Sequence, residues 1–180
     1  MIAIMLLPKI LAELDAVPIR ASSGELLFAR DSPVRHLFVV ESGLVHLIRH
    51  QEDGKPAVMQ RALAGDIVAE ASIFASSYHC DGVVIADAEL KRVPMRRLRE
   101  RLRTDPDFAS ACAQHLADEV RRMRIRSEIM GMRTVSARLQ AWLTWNGGKL
   151  PAKGQWRSLA EDIGVSPEAL YRELAVQRRG

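Results

Sequence analysis

The chain has 180 residues and a mass of 20.1 kDa, room for one ordinary domain or two small ones, which excludes a large catalytic barrel. Apolar residues make up 48% and charged residues 27%, the balance of a chain that folds rather than of a disordered or collagen-like one. The net charge of +4 is unevenly spread: residues 1–90 carry 7 Lys/Arg against 12 Asp/Glu, residues 91–138 carry 13 against 6, and residues 139–180 carry 6 against 4.

The opening run Met1 to Leu7 stops at Pro8-Lys9 and is far shorter than the roughly 20 residues a membrane span needs. It reads as a core helix. From Glu25 to Val93 short apolar runs alternate with turn chemistry: Leu26–Phe28, Leu37–Val40, Leu44–Ile48, Ala57–Arg61, Val83–Ala86 and Leu90–Val93, separated by pairs such as Ser42-Gly43, Asp53-Gly54 and Gly65-Asp66. That spacing predicts a small antiparallel barrel or sandwich, with Asp53-Gly54 as its clearest hairpin.

The period changes at Asp105-Pro106. No Gly or Pro follows until Gly131, and Ala109, Ala113, Leu116, Val120, Met123, Ser127, Met130 and Thr134 recur at three-four spacing. This predicts one long helix with a narrow apolar seam and Arg121, Arg122, Arg124 and Arg126 outside it. Leu116, Val120, Met123, Ser127 and Met130 would form a homodimer interface, although a helix packed on its own barrel produces the same stripe. The basic run from Lys91 to Arg103 reads as a solvated helix face, or with the rest of the basic half as a surface for an anionic partner, nucleic acid before membrane.

Val135, Leu139, Trp142 and Leu143 make a second stripe that ends at Asn146-Gly-Gly148. Trp142, Trp145 and Trp156 supply apolar surface for a miniature helical core over residues 135–180. Within it, Ser158 and Glu161 read as a capping box, Gly164 as a left-handed helix end, Ser166 as a cap and Pro167 as the first residue of another helix. Ala160 permits a close crossing, and Leu159, Ile163, Val165, Leu170 and Leu174 fill the angle. The spacing is that of a helix-turn-helix, whose second helix enters the major groove. Glu168 and Arg172 share one face there. Arg suits guanine and Glu the cytosine amino group, though a solvent-facing ion pair has the same spacing.

In this order of parts, and in Gly24-Glu25, Ser42 to Arg49, Asp53-Gly54-Lys55, Gly65 to Phe74 and Ser166 to Arg172, the chain resembles the CRP/FNR family of bacterial transcription regulators. The resemblance implies an α+β fold: a cyclic-nucleotide-binding-type antiparallel β-roll (a double-stranded β-helix) over 1–104, a dimerisation helix over 105–134, and a winged-helix-type DNA-binding domain over 135–180. It implies double-stranded DNA and a second copy of the chain as partners, a contact with RNA polymerase and a small-molecule effector. Ser166, Pro167, Glu168, Tyr171 and Arg172 become the DNA-contacting set. Glu168 and Arg172 match the family's base-contacting pair, and Pro167 stands where some members carry Arg. The wing that members build beyond the second helix is expected to be missing, since the sequence stops at Gly180.

Glu70, Ala71, Ser72, Cys80 and Asp81 are the effector-pocket candidates. Glu70 matches the ribose-holding Glu, Ala69 replaces a Gly, and Cys80-Asp81 occupies the place of the phosphate-binding Arg-Ser. A carboxylate there repels an anion, so cyclic AMP is not expected and the effector is not legible. Tyr78-His79-Cys80 leaves a haem reading open beside a plain turn. His36, His46, His50 and His79 motivate an alternative, a cupin-type metal-binding barrel, and a sensor that has lost DNA binding is a third reading. No catalytic set and no metal site is expected. Two cysteines without a C-x-x-C suit a reducing cytoplasm.

Overall fold

The computed structural model describes Leu7, Leu11 and residues 14–177. Residues 1–6 of the expected opening helix lie outside these, while Leu7 and Leu11 are helical and buried. The chain divides into two compact units, residues 1–116 and 117–180. Among the described residues no helix is long and apolar enough to cross a membrane.

The first unit is a six-stranded antiparallel sheet: β1 (Val17–Ala21), β2 (Leu26–Phe28), β3 (His36–His50), β4 (Pro56–Ala62), β5 (Ile67–Val68) and β6 (Asp81–Pro94). The order is β1-β6-β3-β4, with β2 on β6 and β5 on β3. Two elements depart from expectation. Ser42-Gly43 does not end a strand, because β3 continues through it and shifts register against β6 between Val40 and Val45. Gly43 has φ +90°, and a β-carbon there would lie 2.3 Å from the Asp87 carbonyl, so glycine lets the two long strands bend together without parting. Likewise Val83–Ala86 and Leu90–Val93 are one strand. β1, half exposed and carrying Pro18, gave no strand signal of its own, yet it pairs with β6 from Val17↔Arg92 to Ala21↔Ala88.

Leu37 to Val40 are all buried, without the alternation of a strand with one face in water, and belong to the same core cluster as residues of the two helices that follow the sheet. α1 (Met95–Thr104) buries Met95 and Leu98, and α2 (Pro106–Gly131) contributes Phe108 and Cys112 to the same core. Asp105 Oδ1 accepts from the Phe108 amide at 3.0 Å, capping α2 with Pro106 in its first turn.

In the second unit the last turns of α2 pack with α3 (Val135–Trp145), α4 (Trp156–Asp162) and α5 (Pro167–Gln177) around Ile129, Leu139, Trp156, Leu159, Ala160, Ile163, Leu170 and Leu174. The long helix ends at Gly131, short of Thr134. Thr134 is not a seam residue: its Oγ1 accepts from the Ala137 amide at 3.1 Å and starts α3. Ser158 is not a cap either. α4 already begins at Trp156, which is buried and donates Nε1 to the Pro151 carbonyl at 3.0 Å. Trp145, expected in the core, is 55% exposed.

Candidate nucleic-acid interface and effector site

The turn between α4 and α5 forms as its residues predict. Gly164 takes φ +65°, and the Val165 amide donates to the Ala160 carbonyl at 2.9 Å, closing α4 as a left-handed glycine does. Ser166 Oγ accepts from the Ala169 amide at 3.2 Å, with Pro167 as the first residue of α5. Leu170 and Leu174 are buried on one side of α5, and the opposite side is turned outward. Of the five candidate DNA contacts, Ser166, Glu168, Tyr171 and Arg172 are exposed and Pro167 is half-buried. Tyr171 leans on Trp156, ring centroids 5.8 Å apart.

Glu168 is held lower than an ordinary carboxyl by its own backbone amide, then by the Ser166 hydroxyl, with Arg172 and Arg157 adding less. The carboxylate therefore sits over the positive start of α5. The solvent-facing Glu168–Arg172 ion pair is not formed, and Arg172 has no salt bridge among the described residues.

On α2, Val120, Met123 and Met130 are 46%, 63% and 43% exposed, Ser127 is exposed and Leu116 is half-buried. Large apolar side chains thus remain open to water along the seam. The basic run behaves differently. Lys91 pairs with Glu41 at 2.9 Å, Arg97 with Asp15 at 2.8 Å and Arg101 with Asp105 at 2.7 Å, while Arg99 donates to the Ile73 and Ala75 carbonyls. Much of that run is structural.

Sequence reasoning missed Arg138. Its guanidinium donates Nε to the Met132 carbonyl at 2.8 Å, Nη2 to Met130 at 2.9 Å, and Nη1 to Ile163 at 3.1 Å and Gly164 at 2.9 Å. One side chain ties the end of α2 to the α4–α5 turn. An arginine three residues into a helix gives no such signal, since its partners are all backbone.

In the first unit, Glu70, Ala71 and Ser72 form a single helical turn after β5, entered through Ala69 at φ +74°, a left-handed conformation that costs a non-glycine residue about 1–2 kcal/mol. Asp81 opens β6. Its Oδ1 accepts from the Arg30 amide at 2.7 Å, and Oδ2 lies 3.6 Å from His50 Nδ1. Cys80 beside it is buried, and burial first, then the charges of Asp81 and Glu70, push its thiol to about 11. Cys112 is pushed to about 11 by burial alone.

Tyr78 is a packing residue. It stacks on Phe28 with centroids 3.9 Å apart, and its hydroxyl donates to the His36 carbonyl at 2.6 Å and accepts the His36 amide at 3.1 Å. His79 is exposed. Tyr78 to Cys80 therefore form the turn that leads into β6, with Tyr78 and Cys80 facing inward. His36, His46, His50 and His79 do not converge: among the described residues no three His, Cys, Asp or Glu side chains are placed to share a metal.

A family comparison matches residues 18–105 to the cyclic nucleotide-binding domain. The match spans the sheet and α1. With its helices, the chain has the fold of the CRP/FNR regulators. It is similar to FixK2 from Bradyrhizobium japonicum (20% identity over 92% of this chain and 86% of that one, TM-score 0.71). It is similar also to the c-di-GMP-responsive global regulator CLP of Xanthomonas campestris (19%, 97% and 91%, 0.62) and to a CRP-family transcriptional regulator of Thermus thermophilus (20%, 89% and 84%, 0.58). The last two are regulators. An uncharacterized protein of Haemophilus influenzae is 25% identical over 98 residues, 54% of this chain and 76% of that protein.

Proposed function

We propose that this cyclic nucleotide-binding-type chain is a homodimeric, DNA-binding transcription regulator in which the roll senses an effector and the α4–α5 helix-turn-helix reads DNA. The observation that carries the reading is the outward face of α5: a capped, buried-on-one-side helix that leaves Arg172 exposed and, among the described residues, without an ion pair, while Glu168 is held ionised beside it. A long, exposed donor suits bidentate pairing with guanine, and a fixed carboxylate suits the cytosine amino group. The exposed seam of Val120, Met123 and Met130 supports a second copy of the chain on α2. Two recognition helices would then address half-sites about one helical turn, roughly 34 Å, apart. RNA polymerase is the partner such a dimer would act on.

Cyclic AMP does not fit the roll. The place of the phosphate-binding pair holds a carboxylate, Asp81, already engaged with the Arg30 amide, beside a neutral buried thiol. Arg49 lies near enough to be felt at Cys80, but its influence is smaller than those of Asp81 and Glu70. A cyclic phosphate would face the Asp81 carboxylate there.

Selection of bound duplexes from a randomised DNA pool tests the proposal. A two-fold symmetric consensus is expected. Recovery of unselected sequences alone would favour the sensor that has lost DNA binding.

A further inference from the structure

Two helix ends meet at one guanidinium. α2 stops at Gly131 and α4 at Asp162, and the carbonyls at such ends have no partner within their own helix. Arg138 serves both. Nε and Nη2 donate to Met132 and Met130 at the end of α2, and Nη1 is shared by Ile163 and Gly164 after α4. The base of this side chain is fixed as well: its amide donates to the Thr134 carbonyl at 3.1 Å, and Leu139 beside it is fully buried. Ile129 of α2 is buried in the core that α3, α4 and α5 share, but apolar burial has no preferred direction. Four hydrogen bonds from a planar fork do have one. α5 begins at Pro167, three residues after Gly164, so the direction held at Ile163 and Gly164 is passed to the recognition helix.

We infer that Arg138 is a positioning residue for DNA reading: its fork sets the angle between the end of α2 and α5, and with it the half-site spacing that the protein accepts. This role rests on the dimeric, DNA-reading function proposed above. One extra base pair between half-sites turns one against the other by about 35° and moves it by about 3.4 Å. Two reading heads rigidly fixed to their dimer helices reject that change, and loosely held ones tolerate it. Arg172 contacts the base; Arg138 acts only through the direction in which α5 points.

Duplexes carrying the selected half-sites, with the spacer shortened or lengthened by one base pair, test this on the full-length parent, Arg138→Lys and Leu143→Ala, at a temperature where each keeps its helical circular dichroism. Leu143 packs on the same core from α3, so its truncation costs stability without withdrawing a donor. The parent and Leu143→Ala should each prefer the best spacer by about tenfold or more over its neighbours. Arg138→Lys should keep the sequence preference within each half-site while its spacer preference falls below about threefold. An unchanged spacer preference in Arg138→Lys, an equal loss in Leu143→Ala, or loss of half-site preference together with spacer preference in Arg138→Lys would each overturn the positioning role. A second measurement needs no DNA. Spin labels on Glu128→Cys and Val176→Cys, both exposed, in protomers diluted with unlabelled protein, should give a narrow distance distribution that broadens or shifts when Arg138→Lys is added. Equal distributions would overturn the inference even if DNA is bound. A parent that selects no DNA sequence, yet shows that broadening on Arg138→Lys, would refute the proposed function while upholding the angle set by Arg138.

Discussion

Gly164 lies directly against the Met130 thioether: a β-carbon at 164 would come within 2.3 Å of Met130 Sδ and 2.8 Å of its methyl carbon. The turn that aims α5 is thus packed against the last turn of α2. Gly164→Ala should destabilise the second unit by about 1–2 kcal/mol from its positive φ alone, with a further loss from the contact. Adding Met130→Ala should return the steric part and leave the backbone part. Thermal unfolding of the single and double variants separates the two. A Gly164→Ala protein as stable as the parent would mean that the turn does not take φ +65°.

Arg138 should matter more than its place on a helix surface suggests. Arg138→Met keeps much of the stem but withdraws donors from four carbonyls, and a loss of about 2–3 kcal/mol is expected. Arg138→Lys should recover little, because an ammonium cannot span both segments as the planar fork does. Denaturant unfolding is the measurement, and full rescue by Lys would contradict the bridging role.

The two cysteines should be slow. With thiols at about 11 rather than the ordinary 9.0, the thiolate fraction at pH 8 is about a hundredfold smaller than for a free thiol. Labelling by Ellman's reagent should therefore be slow in the native protein and fast in denaturant. The linkage runs the same way: the unfolded thiols ionise near pH 9 while the folded ones hold their protons, so stability is full below pH 9 and falls as pH rises toward 11. Rapid native labelling of Cys80 would reopen a redox role for the Tyr78–Cys80 turn.

Much of this was legible in the sequence where local chemistry decides the structure. Asp53-Gly54 makes its turn, with Gly54 at φ +79°, and Ser166, Pro167 and Gly164 build theirs, because caps and left-handed residues act within a few positions. What was not legible depended on distant groups. Ser42-Gly43 read as a turn because the approach of Asp87, 44 residues on in the chain, is invisible locally. Thr134 fitted the heptad spacing, but the Ala137 amide competed for its hydroxyl and won. The run from Lys91 to Arg103 was opaque for the same reason: which of its members are paired shows only once Asp15, Glu41 and Asp105 are in place.

The seam offers a direct test of assembly. Met123 is 63% exposed in the middle of α2, and Met123→Asp should turn the proposed dimer into a monomer by placing a charge where a partner helix would pack. Light scattering over a range of concentrations reads the mass. A parent protein that is monomeric at high concentration would contradict dimerisation through this face.

Base reading by α5, as proposed, rests on Arg172. The most direct measurement is the ratio of affinities for the selected duplex and a scrambled one, at fixed salt, for the parent and Arg172→Ala. The substitution should lower the specific affinity by about 1–3 kcal/mol per half-site while leaving scrambled DNA nearly unchanged, so that discrimination is lost. An equal preference for the selected sequence in both proteins would contradict it.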